Sequence, residues 1–249
     1  MGSEENTNTV RKPRFLCLHG FRTSAEIHKK QMQKWPQSLL DNLDLVFVDA
    51  PFPCQGKSAV EGLFDPPYYE WFQYNNEFTE YTNLDECLEY IEECMIKYGP
   101  FDGLLGFSQG AILSAALPGL QEKGLALTNV PKVKFIIIIG GGKFKSPSFA
   151  EKAYPSPITC PSLHFLGEKD FMKTYGKEVI ETCVEPVVVH HPRGHTVPVL
   201  DEENLKIVMS FIERIKKIVE NEQEIVNISS NVVGNESTQL IQEVIFNKE

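Results

Sequence analysis

The first place where this chain's residue types and spacing invite chemistry is a serine set between glycines. Gly106-Phe107-Ser108-Gln109-Gly110 has the pattern G-x-S-x-G, which suits a sharp strand-to-helix turn that lifts a serine hydroxyl clear of the backbone. The apolar run Gly103–Phe107 precedes the turn. The helix-like stretch QGAILSAAL at Gln109–Leu117 follows it, and Pro118-Gly119 is expected to stop that helix. Glycine at both flanks removes side chains that would collide in so tight a bend. An alcohol is a poor nucleophile at neutral pH, so Ser108 needs a base within hydrogen-bond reach and a third group to orient that base.

Six histidines compete for the role of base: His19, His28, His164, His190, His191 and His195. For a serine on this type of turn, the chain order is nucleophile, acid, histidine. His195 stands in the loop Pro192–His195, after the run PVVVH and before a final helix-like stretch, and is the expected base. His191 is the competitor nearer the strand. His164 lies inside an apolar run and reads as a core histidine. The expected acid is Asp170, in the loop after Ser162–Leu166, with Glu168 as the alternative. Asp102 precedes the nucleophile strand and Asp49 ends an earlier one. A tetrahedral intermediate also needs preorganised donors for its oxyanion. The backbone N–H groups of Gln109, at a helix start, and Phe21, in the loop after the first strand, are the candidates. Gly20 permits close approach there, and His19 reads as a brace for that loop.

These residues must be carried by a scaffold, and the periodicity supplies one. Apolar runs rich in Val, Ile, Leu and Phe occur at Arg14–Leu18, Leu43–Val48, Gly103–Phe107, Val133–Ile139, Ser162–Leu166 and Pro186–His190. Strands buried on both faces of a parallel sheet have this character. Helical spacing marks Asn83–Lys97, with Leu84, Cys87, Leu88, Ile91, Met95 and Ile96 recurring on a face and Asn83 as a cap. A second helix is expected over Asp201–Val219, acidic at its start and basic toward its end. The alternation predicts an α/β fold with a doubly wound, mostly parallel sheet flanked by helices.

Phe52–Tyr81 breaks this rhythm. It holds Phe52, Phe64, Tyr68, Tyr69, Trp71, Phe72, Tyr74, Phe78 and Tyr81 among prolines and glycines. A long irregular segment dense in aromatics reads either as a lid facing substrate or as a loop packing its rings onto the core. On the lid reading, Phe52, Tyr69, Trp71 and Phe72 would touch substrate. The expected folded unit is 12–220, with residues 1–11 and 221–249 as flexible or loosely attached termini.

Composition narrows the function. The net charge of −10 over 249 residues disfavours nucleic acid and anionic membrane faces as partners. No apolar run is long enough for membrane insertion, and the N-terminal residues lack the apolar stretch of a signal peptide. The six cysteines show neither a C-x-x-C pair nor zinc spacing and read as free thiols of a reducing, cytoplasmic compartment. The two N-x-S matches, at Asn227 and Asn235, are then chance occurrences.

Taken together, LCLHGFRTS at Leu16–Ser24, FVDAPF at Phe47–Phe52, FDGLLGFSQGA at Phe101–Ala111, FLGEKD at Phe165–Asp170 and GHTVP at Gly194–Pro198 resemble the FSH family of serine hydrolases, which includes the ovarian-tumour-associated esterases. The resemblance spans roughly residues 12–217. It implies an α/β-hydrolase fold, no metal and no organic cofactor, and hydrolysis of small-molecule carboxylic esters or thioesters, with Ser108, Asp170 and His195 as nucleophile, acid and base. The expected reaction passes through an acyl-enzyme on Ser108 with an apolar acyl group. The alternatives are a hydrolase fold used as a small-molecule receptor, and a peptidase or amidase. Gly140-Gly141-Gly142 lacks the spacing of a dinucleotide loop and reads as a turn at the sheet's carboxyl edge.

Overall fold

Each of the six apolar runs forms a strand, and all six join one sheet. The computed structural model describes residues 11–246, with side chains through Ile225. In chain order the elements are β1 (Arg14–Leu18), α1 (Ala25–Met32), α2 (Gln37–Leu40), β2 (Asp44–Val48), the two-residue strands β3 (Phe52–Pro53), β4 (Tyr69–Glu70), β5 (Gln73–Tyr74) and β6 (Tyr81–Thr82), then α3 (Leu84–Tyr98), β7 (Gly103–Phe107), α4 (Gln109–Glu122), β8 (Phe135–Ile139), α5 (Pro147–Ala153), β9 (Ser162–Gly167), α6 (Lys173–Ile180), β10 (Val187–His191) and α7 (Glu202–Phe246).

The main sheet runs β10-β9-β8-β7-β1-β2, with every neighbouring pair parallel. The chain builds outward from β1 to β2, then returns to the other side of β1 to place β7. That reversal lies between β1 and β7, and open α/β sheets bind ligands outside the carboxyl ends of strands at such a point. Successive side chains on a strand face opposite ways, so each face has its own core. Leu16, Leu18, Leu104, Ile136 and Ile138 pack with Leu88 and Ile91 of α3 and Leu113 of α4. Phe15, Cys17, Leu105, Phe107, Ile137 and Ile139 pack with Met32 of α1 and Val208, Phe211 and Ile212 of α7.

Three helix expectations need correction. Helix α4 does not stop at Leu117 but carries Pro118 inside it and continues to Glu122. Its residues are buried on nearly all sides, and that packing outweighs the one lost backbone bond. Asn83 precedes α3 with φ 61 and makes no side-chain cap bond. Its amide donates to Gln73 Oε1 at 2.8 Å instead. Ile96, expected on the buried face of α3, is 59% exposed, and Cys94 takes the buried place.

Helix α7 runs past Asn221, where the sequence pointed to a loose tail. At the boundaries set at 12 and 220, docking extends slightly further: Arg11 donates to Asp102, and Glu222 pairs with Lys134. Residues 1–10 and 247–249, and the side chains beyond Ile225, lie outside the described residues. Among the described residues no helix is long and apolar enough to cross a membrane. The six cysteines are free thiols.

Candidate active site

Ser108 follows the last residue of β7 and immediately precedes α4, with φ 55 and ψ −114. A non-glycine residue holds such a backbone only where its surroundings dictate it. The surroundings do so here. A Cβ on Gly106 would lie 2.2 Å from Gly110 O, and one on Gly110 would lie 2.1 Å from Leu18 O. The first and last positions of the pentapeptide therefore require glycine, because the turn presses against itself and against the end of β1.

The structure brings Ser108, His195 and Asp170 together from three loops at the carboxyl edge of the sheet. His195 Nε2 is 2.8 Å from Ser108 Oγ. His195 Nδ1 is 2.9 Å from Asp170 Oδ1 and 3.0 Å from Oδ2. With Nδ1–H donated to the carboxylate, Nε2 is free to accept the serine proton. Met172 N–H donates to Asp170 Oδ1 at 2.7 Å. Burial pushes the Asp170 carboxyl up, but the bonds from His195 and Met172 N–H and the charges of His195 and His191 outweigh it and hold the group below the usual carboxylate range.

The competing residues sit elsewhere. Glu168 is exposed and pairs with Lys173 at 2.5 Å. His164 is buried and bonds Ser162 Oγ at 3.0 Å, and burial lowers it to about 4. His191 is buried against Gly167.

Gly140 takes part in a way its sequence context only hinted at. It has φ 61, and a Cβ there would lie 3.0 Å from the His195 ring and 3.1 Å from Asp170 Oδ2. Phe171, next to the acid, was not singled out from sequence at all. It is 73% exposed, yet its ring lies 4.5 Å from that of His195. Lys34 Nζ donates to Thr196 Oγ1 at 2.7 Å and Val197 O at 3.1 Å, tying down the loop just past His195.

The loop carrying Phe21 abuts the nucleophile. A Cβ on Gly20 would lie 3.4 Å from Ser108 Cβ. Among the described residues, neither Phe21 N nor Gln109 N donates to a protein acceptor. His19 is a brace: its Nε2 accepts from Ala50 N at 3.0 Å, its Nδ1 donates to Gly20 O at 2.8 Å, and its carbonyl accepts from Gly110 N at 3.2 Å. Burial lowers it to about 4, so it stays neutral.

Of the four expected substrate contacts, Trp71 and Phe72 are instead core residues, 0% and 2% exposed. Trp71 Nε1 donates to His19 O at 2.9 Å, so the ring is spent on the scaffold. Phe52 and Tyr69 are partly buried in the small β3–β4 ladder. A cavity of about 10 Å³ lies behind Asp170, lined by Gly140, His164 and Met172, room for about one water. Among the described residues no three His, Cys, Asp or Glu side chains converge as metal ligands would.

A protein named dihydrofolate reductase from Schizosaccharomyces pombe is 31% identical over 74% of the chain, but this match spans only 43% of that protein's length. Esterase OVCA2 of Xenopus tropicalis is 30% identical over 81% of the chain and 92% of its own length. The crystal structure of Zea mays acyl-protein thioesterase 2 aligns with a TM-score of 0.57 at 16% identity, over 84% of this chain and 96% of that one. At that identity the match speaks for the α/β-hydrolase fold alone. The family model described as serine hydrolase (FSH1) matches residues 8–207, and the chain belongs to that serine hydrolase family.

Proposed function

We propose that this enzyme hydrolyses small-molecule carboxylic esters or thioesters through an acyl-enzyme on Ser108. The observation that carries the reading is the unbroken hydrogen-bonded line from Ser108 Oγ through the His195 ring to Asp170. Ser108 Oγ attacks the carbonyl carbon while His195 Nε2 takes its proton. Asp170 holds the ring in the tautomer that leaves Nε2 open and stabilises the imidazolium. The oxyanion lies between Phe21 N–H and Gln109 N–H, the latter at the positive end of α4. The protonated ring then gives its proton to the departing alcohol or thiol. Water attacks the acyl-enzyme with His195 again as base.

Similarity to a protein named esterase supports the bond type. The exposed Phe171 ring against His195 supports an apolar group on the substrate. The six unpaired thiols favour a reducing, cytoplasmic setting.

A fluorophosphonate probe tests the nucleophile. The native protein is expected to be labelled at Ser108 and to turn over p-nitrophenyl esters. Ser108→Ala is expected to fold, escape labelling and lose turnover by about 10⁴-fold or more. A folded native protein that stays unlabelled, or a Ser108→Ala variant that keeps its turnover, sinks the reading.

A further inference from the structure

Glu70 is a carboxylate with no solvent exposure, and the reaction above gives it no work. Burying a carboxylate is costly unless it is paired and hydrogen-bonded. Its partners are Arg22 Nε at 2.6 Å, Gln73 Nε2 at 2.8 Å and Gln55 N at 3.4 Å. Arg22 directly follows Phe21 and has φ 54, a left-handed backbone that a long side chain adopts only under constraint.

The constraints are all present. The Arg22 guanidinium lies over the Phe21 ring at 4.7 Å and donates to Lys57 O at 3.2 Å. A Cβ on Gly56 would meet it at 2.3 Å, so glycine there makes its berth. Arg22 O accepts from Ser58 Oγ at 2.6 Å, and Thr23 O accepts from Tyr69 N at 2.7 Å. The opposite wall is tied to the same segment. The Gln109 side chain accepts from Trp71 N at 3.1 Å and donates to Phe72 O at 2.7 Å.

We infer that Glu70, acting through Arg22, is a positioning residue for the Phe21 N–H, and that residues 69–73 form a fixed frame holding both walls of the oxyanion site. This part of the segment, read from sequence either as a lid or as a loop packed on the core, thus braces the donors instead of sweeping over substrate. Arg22 and Ser108 each hold a positive-φ backbone, and the frame ties the loop behind one wall and, through the Gln109 side chain, the start of α4 behind the other. This inference rests on the ester-hydrolysis reading above.

The test uses the full chain, a p-nitrophenyl ester and an aryl trifluoromethyl ketone. The ketone reacts as a mimic of the intermediate. A bond forms from Ser108 Oγ to the carbonyl carbon, the C=O π pair moves onto oxygen, and the serine proton passes to His195 Nε2. Loosening a donor weakens this adduct without weakening ground-state binding. Glu70→Gln keeps the shape and removes the charge. It is expected to lower kcat and ketone affinity together by about 10- to 100-fold, with KM within about threefold and the shape of the pH–rate profile unchanged.

Arg22→Lys is expected to fall between native and Glu70→Gln, because an ammonium restores charge but not the fixed fork. If Glu70→Gln does not fold, Ser58→Ala removes the bond to Arg22 O, with the weaker one from Val60 N at 3.2 Å, and is expected to shift kcat and ketone affinity the same way by a smaller factor. A folded Glu70→Gln, or in its place Ser58→Ala, that keeps native kcat and ketone affinity, or that loses rate only through KM, overturns the inference. A native protein that neither turns over ester nor forms the ketone adduct overturns the underlying reading, a result separable from the first.

Discussion

Two buried carboxylates sit at opposite ends of the sheet, and their partners make one structural and the other chemical. Asp102, just before β7, is held by Arg11 through both oxygens, by Arg14 N–H at 2.9 Å and by Lys134 at 3.3 Å. Asp170, just after β9, holds His195 and Met172 N–H. Burial pushes both carboxyls up, and in both the hydrogen bonds and nearby cations win, so both lie below the usual range. The difference is the partner. Arginine and lysine keep their charge through any turnover, so the Asp102 cluster fastens chain segments together. An imidazole takes up and releases a proton near neutrality, and here its other nitrogen reaches a hydroxyl. The same electrostatics builds a clamp at the amino end and, on the proposed mechanism, a proton relay at the carboxyl end.

Exchanging each carboxylate for its amide separates the two ends most sharply. Asp170→Asn is expected to cut kcat by about 10⁴-fold, since the amide no longer favours the tautomer with Nε2 open, while thermal stability changes little. Asp102→Asn is expected to leave kcat near native and cost roughly 1–3 kcal/mol, less than the about 3–5 kcal/mol of a fully buried broken pair because Arg11 is half-exposed. Steady-state kinetics and chemical denaturation on both variants decide it. An Asp102→Asn enzyme with kcat down a hundredfold would break the comparison.

The glycines sharpen the same contrast at smaller cost. Gly140 and Gly124 both have positive φ, 61 and 67, so alanine strains either backbone by about 1 kcal/mol. Around Gly124, after α4 at the amino end, a Cβ would meet nothing within 4 Å, whereas at Gly140 it would press on His195 and Asp170. Gly124→Ala is therefore expected to lose stability alone. Gly140→Ala is expected to lose about 10²-fold or more in kcat as well, through displacement of the imidazole. Equal kcat in the two variants would deny Gly140 its part in the site.

What the sequence made legible follows from the range of each interaction. The strands and the serine turn are written in local patterns, and those patterns with the family resemblance singled out Ser108, Asp170 and His195, which the fold brings within hydrogen-bond reach of one another. The aromatic segment was ambiguous for a physical reason. Ring density signals contact but not with what: the Trp71 ring turned inward to bond His19 O, and the Phe72 ring turned inward to pack against Tyr81 and Phe144. Ion pairs such as Arg22–Glu70 and Arg11–Asp102 join residues 48 and 91 apart. Nothing in the spacing of charged residues marks which of many acids each base will meet. Pro118 misled because burial around α4 overrode a local stop signal.

The finest test compares two histidines against one ring. Phe107 lies 5.0 Å from the His195 ring and 6.4 Å from that of His28. His195 has both nitrogens engaged. His28 is buried with neither nitrogen partnered, and burial, with His19 adding to it, lowers it to about 3. His19, His28 and His164 therefore stay neutral in the fold but take up protons in the unfolded chain once pH falls below about 6.5. Their stabilisation is fully present above that pH and is lost as pH falls toward their folded values, at up to about 1.4 kcal/mol per unit for each. Asp102 and Asp170 add a loss of the same sign only at lower pH, within the carboxylate range. His28→Leu removes one titration and two unpartnered polar atoms at similar volume. It is expected to match or exceed native stability at pH 7, keep kcat within about twofold because it touches neither Ser108 nor Asp170, and flatten the fall in stability between pH 6 and pH 4. Urea denaturation across that window measures it, and a His28→Leu curve parallel to the native one would show that the burial of this imidazole is not what makes the fold sensitive to acid.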